Sequence, residues 1–274
     1  NVARNLASLG LSVSLIGVVG DDGEGRELAA LLGSIDGVDA DLIAMRDRST
    51  TLKTRFVAGG QQLLRVDAED TSPIEAGPEA ELIASIADEA ESAGVIILSD
   101  YAKGAVTDGV IAAALEAGAR HGIPVIADPK GRDFARYGGV DLIKPNASEL
   151  AVAMGLPVET DQDVETALVA AQSVLPAKAI VVTRAAKGMS FAADGAPAVH
   201  LSGQAREVYD VSGAGDTSIA ALALGLAGGG TLADAVSLAI TASGIAVGKA
   251  GTATVSAEEV LSALQMGLRG SCPA

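Results

Sequence analysis

Two aspartates flank a run of small residues in segment 210–216, which reads DVSGAGD and opens directly into an apolar, helix-like stretch. The first N–H groups of a helix lack partners within it, and with the helix dipole they favour an anion such as a phosphoryl group. Gly213, Ala214 and Gly215 allow close approach to the backbone. Asp216 could take the proton from a hydroxyl that attacks phosphorus. The segment predicts a phosphate-binding turn with its own base, although a flexible turn with an N-capping aspartate explains the same string taken alone.

The composition is that of a large α/β domain. With 274 residues and 49% hydrophobic content, the chain can bury a sizeable core. Aromatic residues make up only 2% and tryptophan is absent, so the core must be built from Ala, Val, Leu and Ile. Such a core suits a parallel sheet that is buried on both faces.

Charge and cysteine content exclude several classes of function. A net charge of −16 disfavours nucleic acid and anionic membranes as partners. One cysteine, Cys272, and two histidines argue against a disulfide, a cysteine-based zinc site or a histidine-rich metal site. No apolar run reaches the length of about 18 residues that a membrane helix needs, and no signal peptide is visible. These features predict a cytoplasmic protein.

Short β-branched runs alternate with Ala-rich helical stretches along most of the chain. This rhythm predicts a doubly wound, mostly parallel α/β sheet with helices on both faces and ligands at the carboxyl ends of the strands. The predicted strands are 12–19, 95–98, 124–127, 141–143 and 179–183, and the predicted helices between them are 79–92, 106–121 and 161–175.

Two segments depart from this alternation. Residues 51–58 and 61–67 flank Gly59-Gly60 and read as a β-hairpin, which predicts a lid projecting from the body. Residues 188–201 read as an antiparallel edge. The remaining C-terminal part is predicted to be helical, over 213–227, 231–247 and a last helix that begins at a capping box of Ser256 and Glu259.

Polar segments follow the predicted strands where an α/β sheet collects its ligands. They are Asp128-Pro129-Lys130, residues 144–149, and Thr183-Arg184 with Lys187-Gly188. Each has an ordinary structural explanation: a turn, an N-cap at Asn146 completed by Glu149, and a hairpin bend. Their joint placement after successive strands favours a shared site.

Magnesium and phosphate chemistry fits these segments. Mg²⁺ takes few protein ligands, so Asn146 and Glu149 could hold it directly or through water. Lys130, Lys144 and Lys187 could neutralise phosphate groups. Transfer would then rest on positioning and electrostatics.

Three motifs resemble the ribokinase or PfkB carbohydrate kinase family. Residues 210–217 look like its second signature, Asn146-x-x-Glu149 like its metal and phosphate motif, and residues 17–25 like its N-terminal signature. Segments 61–67, 98–104, 128–131 and 207–210 are similar to the D-glycero-β-D-manno-heptose 7-phosphate kinase domains of ADP-heptose synthases. The likeness runs over nearly the whole chain.

The resemblance implies ATP- and Mg²⁺-dependent phosphorylation of the anomeric hydroxyl of heptose 7-phosphate, giving the 1,7-bisphosphate for lipopolysaccharide inner core. Asp216 would be the base, with the amides of Gly213, Ala214 and Gly215 as the anion hole. Asp210 and the Gly251-Thr252 region would hold a monovalent cation such as K⁺. The implied nucleotide and metal contacts are Lys144, Asn146, Ala147, Ser148, Glu149, Thr183, Lys187 and Gly188. The expected sugar-phosphate contacts are Asn1, Arg65, Lys103, Asp128 and Lys130, each of which could equally be a solvated surface charge.

The resemblance also sets expectations for the domain and its partners. We expect one kinase domain over residues 1–268, a lid at about 48–68, a tail over 269–274, and a homodimer formed through the lid. The family supplies an earlier strand with a sugar-binding aspartate and a Gly-Gly pair before the position of Asn1, and that strand is not in this sequence. Another sugar kinase of the family, or a non-catalytic sugar-phosphate-binding module, therefore stays open.

Two other strings are poor functional candidates. Gly248-Lys249 follows a predicted helix rather than a strand, which argues against a P-loop. Asp21, Asp22 and Glu24 lie at a predicted helix start, where acidic residues complement the dipole.

Overall fold

The computed structural model describes residues 1–59, 61–203 and 209–270. Gly60, Glu207, Val208 and Cys272, which entered the sequence predictions, lie outside the described residues. Residues 271–274 of the predicted tail also lie outside them, and the last described helix runs to Gly270. No described helix is both long and apolar enough to cross a bilayer.

Nine α-helices are found in the described residues, and side-chain caps begin several of them. Asp22, Thr107, Asn146, Thr160 and Thr231 each accept a hydrogen bond from a backbone N–H of the following turn. Asp22 therefore acts as the cap that its position predicts. The helices are α1 Val2–Ser8, α2 Gly23–Gly33, α3 Ala76–Glu89, α4 Asp108–His121, α5 Ala147–Met154, α6 Asp161–Val174, α7 Ala214–Ala227, α8 Leu232–Ala246 and α9 Ala257–Gly270.

The strands form a central sheet, a parallel pair and a hairpin. The central sheet has the order β10-β9-β8-β7-β6-β5, parallel from β5 to β8 and antiparallel from β8 to β10. The predicted mostly parallel sheet with an antiparallel edge is thus confirmed. The strands are β1 Val13–Gly20, β2 Val38–Met45, β3 Leu52–Ala58, β4 Gln61–Ala68, β5 Ile96–Ser99, β6 Val125–Asp128, β7 Leu142–Ile143, β8 Ala179–Thr183, β9 Met189–Ala193 and β10 Val199–Leu201.

Apolar clusters lie on both faces of the central sheet. Neighbouring residues of one strand point to opposite clusters: Ile143 joins one and Leu142 the other. The β1–β2 pair continues both layers, since Ile16 packs against the first cluster and Val13 against the second. Within the described residues this pair is a separate ladder, not hydrogen-bonded to β5. The sheet is therefore buried on both faces, as the Ala-, Val- and Ile-rich composition predicts.

The lid is an antiparallel hairpin whose two faces differ. Phe56 lies opposite Leu64 and Thr54 opposite Val66, so these side chains share one largely apolar face. The other face pairs Lys53 with Asp67 at 3.1 Å. Phe56, Leu64 and Val66 are about half exposed, at 51%, 55% and 48%. The hairpin thus presents an uncovered apolar surface in the single chain.

Candidate active site

The start of α7 lacks a side-chain cap. Its N-cap residue is Gly213, which adopts a left-handed conformation with φ of 81° and makes no side-chain cap bond. Asp216 lies in the first helical turn. Neither aspartate is the N-cap of α7, and a helix start without a side-chain cap suits an anion. The amide of Ala214 donates a long 3.3 Å hydrogen bond to the carbonyl of Val211, which an anion would have to displace.

Asp210 joins this turn to the loop after α8. Its Oδ1 accepts from the amide of Ser212 at 2.8 Å and its Oδ2 from the amide of Gly251 at 3.1 Å. The amide and hydroxyl of Ser212, followed by the Gly251 amide, hold the pKa of Asp210 below its usual range. Thr252 lies beside Gly213, within 3.6 Å of the position that a Cβ would take. The structure thus brings together the two segments assigned by resemblance to a monovalent cation.

Tyr101 contacts the candidate base. Its hydroxyl donates to Asp216 Oδ1 at 3.0 Å, although the two residues are 115 positions apart. Desolvation, reinforced by the charge of Asp216, raises the pKa of Tyr101 to about 12, so the phenol stays a donor. The residue as a whole is 54% exposed.

A buried ion pair lies near the candidate base. Lys144 is only 3% exposed, and its Nζ lies 3.1 Å from Asp128 Oδ1. Desolvation raises the pKa of Asp128, the Lys144 charge opposes this, and the charges of Glu149 and Asp216 add to it. The Asp128 carboxylate is thus close enough to Glu149 in α5 and to Asp216 in α7 for their charges to act on it.

Asn146 and Glu149 form a reciprocal cap at the start of α5. Asn146 Oδ1 accepts from the Glu149 amide, and Glu149 Oε2 accepts from the Asn146 amide, both at 2.9 Å. Glu149 Oε1 contacts Lys130 Nζ at 2.6 Å, a bond that raises the pKa of Lys130. Ala147 and Ser148 lie between these two residues in the first turn of α5.

These oxygens fit Mg²⁺ with few protein ligands. Within residues 1–59, 61–203 and 209–270 no group of three or more His, Cys, Asp or Glu could enclose a metal. A hard cation that keeps several waters needs only one or two carboxylate or amide oxygens. Asn146 and Glu149 supply such oxygens at one helix start, so the residues present fit this ion.

The nucleotide candidates after β8 are only partly gathered. Asn146 forms a parallel bridge with Thr183, which places Thr183 beside the α5 cap. Gly188 has φ of 88°, and a Cβ there would lie 2.2 Å from the carbonyl oxygen of Leu201, so only glycine fits. The ammonium of Lys187 donates to the carbonyl of Glu159 instead of facing Glu149 or Asp128.

Most of the sugar-phosphate candidates are paired with carboxylates. Arg65 Nε contacts Asp67 Oδ1 at 3.0 Å on the lid. Lys103 Nζ contacts Glu69 Oε1 at 2.7 Å. Glu69 begins the connector after β4, residues 69–74, which we call the lid base. Two bonds to lysines, first Lys103 and then Lys53, hold the pKa of Glu69 at about 2.

Asn1 reaches the site through α1. Its carbonyl accepts from Asn5 Nδ2 at 3.0 Å, and Asn5 Oδ1 accepts from the buried hydroxyl of Thr217, next to Asp216, at 3.1 Å. Asn5 and Tyr101 were missed as site residues by sequence reasoning. The only sequence signal of Tyr101 was its place two residues after a strand, and Asn5 carried no clear signal.

Two cavities, of about 280 and 380 Å³, open at the amino ends of the central strands. Asp141 and Lys178 line both, and no candidate residue lies in either. The site is thus identified by its chemistry at the opposite ends of the strands.

Comparison with known families fits this arrangement. The model of the pfkB family carbohydrate kinases matches residues 1–259. The chain belongs to this family. In the string Gly248-Lys249, which partly resembles a P-loop, the Nζ of Lys249 lies 2.7 Å from Oε1 of Glu259.

Curated relatives share much of the sequence. The chain is 57% identical over 266 residues to the Bifunctional protein HldE of Hyphomonas neptunium, covering 97% of this chain and 55% of that protein. It is 47% identical to the Bifunctional protein HldE of Gluconacetobacter diazotrophicus, covering 96% of this chain and 54% of the relative. The chain therefore spans about half the length of the curated relatives it matches.

Solved structures share the ribokinase-like fold. Phosphofructokinase-2 from Escherichia coli in complex with potassium superimposes with a TM-score of 0.81 at 22% identity, covering 97% of this chain and 85% of that one. Ribokinase of Arabidopsis thaliana, complexed with ribose and ATP, gives 0.77 at 23% identity, covering 97% and 87%.

Proposed function

We propose that this pfkB-family kinase domain transfers a phosphoryl group from ATP to the anomeric hydroxyl of D-glycero-β-D-manno-heptose 7-phosphate. The observation that carries the proposal is the uncapped start of α7 with Asp216 in its first turn. Similarity to the HldE proteins over 97% of the chain supports the heptose as substrate. The reaction would serve lipopolysaccharide core synthesis in the cytoplasm, where ATP is available.

The chemistry follows from the placement of the carboxylate. Asp216 accepts the proton of the sugar hydroxyl as its oxygen bonds to the γ-phosphorus, while the bond from that phosphorus to the ADP oxygen breaks. The N–H groups at the start of α7 stabilise the charge on the transferring group. Transfer depends on alignment, with no covalent enzyme intermediate.

Nucleotide and ions are assigned to the neighbouring segments. We infer that ATP lies along the α5 start, Thr183 and Gly188, and that Lys144 neutralises its phosphates. Mg²⁺, held by Asn146 and Glu149 directly or through water, supplies charge neutralisation when bound. A monovalent cation such as K⁺ is assigned to Asp210 and the Gly251-Thr252 loop.

The sugar phosphate is assigned to the cations near the lid. Arg65, Lys103 and Lys130 would bind the 7-phosphate by exchanging their carboxylate partners for it, with Asn1 and Asp128 at the sugar. Such a second phosphate site would separate heptose 7-phosphate from ribose, fructose or adenosine. ATP turnover on each of these acceptors tests the substrate, and a preference for an unphosphorylated acceptor would refute the heptose assignment.

Replacement of the base tests whether the domain is catalytic. Asp216→Asn is expected to lower kcat by about 10² to 10⁴ while nucleotide affinity is largely kept, because only proton transfer is lost. Single-turnover phosphorylation and ATP titration measure the two effects. Unchanged turnover in the variant would remove Asp216 as base, and an inactive wild type that still binds sugar phosphate would favour a binding module.

We also propose that two chains associate through the lid. The apolar face of β3 and β4 carries half-exposed Phe56, Leu64 and Val66. Exposed apolar patches of this kind mark interaction surfaces. A second lid, packed face to face, would cover it. Phosphofructokinase-2 from Escherichia coli has a tetrameric inhibited form, so association occurs among proteins of this fold.

A further inference from the structure

The hydrogen bond between Tyr101 and Asp216 links two segments that contribute different parts of the site. Asp216 is carried by α7, and Tyr101 follows β5 in the central sheet. Only Oδ1 of the carboxylate takes the phenol, at 3.0 Å. The bond therefore fixes the rotation of the carboxylate and leaves Oδ2 for another donor.

The segment that carries Tyr101 is anchored in the body of the domain. Asp100 is buried, and its carboxylate accepts from the amide of Ala102 at 2.7 Å and from the hydroxyl of Tyr137 at 2.6 Å. Arg136 donates to the same carboxylate at 3.2 Å. Ala102 is held with φ of 53°, which costs a non-glycine residue about 1 kcal/mol or more. A segment fixed this firmly can hold a side chain in one orientation.

Hydrogen bonds also join the other side of this segment, at residues 103 and 104, to the lid base. Arg48, 9% exposed, donates to the carbonyls of Ser72 at 3.1 Å and Asp70 at 3.0 Å, and also to that of Lys103. The carbonyl of Gly104 accepts from the amide of Ile74 at 3.1 Å. Tyr101 is thus held between the rigid sheet and the connector that carries the lid.

We propose that Tyr101 is a positioning residue for the catalytic base: its hydroxyl holds Oδ1 of Asp216 so that Oδ2 faces the sugar hydroxyl. The proposal rests on the proposed role of Asp216. Alignment of the base with the hydroxyl is needed in the transition state, whereas neither sugar nor nucleotide needs this bond to bind. Loss of the phenol should therefore lower kcat and spare KM.

Kinetics of Tyr101→Phe test the proposal with whichever acceptor the wild type phosphorylates. We expect kcat to fall by about tenfold to a hundredfold with KM for ATP and sugar within about twofold of wild type. The matched control is the same substitution in an Asp216→Asn background, where it should cause little further loss, since no base remains to be oriented. An additive loss in that background, or a rise in KM without a change in kcat, would overturn the proposal.

A measurement that needs no turnover keeps the test independent of the substrate assignment. Tyrosine labelled with ¹³C at Cζ gives a resonance for Tyr101, assigned by its absence in Tyr101→Phe. Because the phenol donates to Asp216 Oδ1, Asp216→Asn should change the chemical shift of this resonance at neutral pH. Tyr137, which contacts Asp100 instead, serves as the internal control.

The outcomes separate the two proposals. A Tyr101 resonance with the same chemical shift at neutral pH in the wild type and in Asp216→Asn refutes the positioning role, whatever the substrate. A shifted resonance together with the expected kcat loss on a sugar other than heptose 7-phosphate supports the positioning role and refutes the heptose assignment.

Discussion

Lys144 is a charged residue in a place where charges are costly. It is 3% exposed, and its partner Asp128 keeps only a fifth of its side chain accessible. A buried ion pair gives modest net stability, but removal of one partner leaves the other uncompensated. The pair also places two opposite charges close to Asp216 and Glu149.

Lys144→Met tests this pair at residue scale. The variant should lose about 2–4 kcal/mol of unfolding free energy at neutral pH, because the Asp128 carboxylate becomes buried without a partner. Burial already raises the pKa of Asp128, and loss of the Lys144 charge raises it further. Urea unfolding at several pH values measures both effects.

The pH dependence has a definite sign. Because the pKa of Asp128 is raised in the folded state, this carboxyl binds a proton more readily in the folded protein than in the unfolded chain. The free energy of unfolding therefore falls as pH rises from 3.8, the pKa in the unfolded chain, through the pKa in the folded protein. Lys144→Met should therefore recover part of its loss on acidification. The control Lys144→Met with Asp128→Asn should lack this recovery, and equal pH profiles for the two variants would contradict the account.

At the scale of elements, connectors between strands and helices determine the site geometry. The segment after β5 is pressed against the lid base at Gly104, where a Cβ would lie 1.8 Å from the carbonyl oxygen of Ser72. Its φ of 74° also favours glycine. Gly122, which ends α4, has φ of 67° but nothing within 4 Å of a Cβ.

This contrast gives a matched pair of variants. Gly122→Ala should cost about 1 kcal/mol from backbone conformation alone. Gly104→Ala should cost at least about 2 kcal/mol more, because Ser72 or the whole segment must move. Thermal unfolding compares them, and similar losses would show that the contact at the lid base is easily relieved.

Sequence patterns predicted many elements but not all. The strands from β5 to β9 and the lid were predicted because β-branched runs lie between turn residues. β2 was missed because Asp39 and Asp41 interrupt its apolar residues; it forms by pairing in parallel with β1. Helix α5 was predicted only as the cap at Asn146.

The candidate site could be predicted only as far as local motifs reach. Asp216, Asn146 and Glu149 lie in short strings with a recognisable order, and the sheet topology gathers the strand ends. The contact of Tyr101 with Asp216 spans 115 positions and has no local pattern. Pairings such as Lys187 with Glu159 depend on packing that no spacing encodes.

At the scale of the whole molecule, the dimer proposal rests on the apolar face of the lid. Leu64→Glu places a charge on the apolar face of the hairpin and should shift the protein from dimer towards monomer, since burial of an unpaired charge is unfavourable. Arg55→Glu, on the opposite face, is the control and should leave association unchanged. Sedimentation velocity over a concentration series measures both. A monomeric wild type would remove the dimer proposal.

The cations assigned to the sugar phosphate are occupied by the protein's own carboxylates. Arg65 contacts Asp67, Lys103 contacts Glu69 and Lys130 contacts Glu149. Any incoming anion must compete with these internal counterions. A monoanion would replace one negative charge by another, whereas a phosphate dianion would bring one more negative charge than the carboxylate that it displaces. On the proposed assignment, these internal carboxylates would favour a doubly charged phosphate over a neutral sugar, whatever the shape of that sugar.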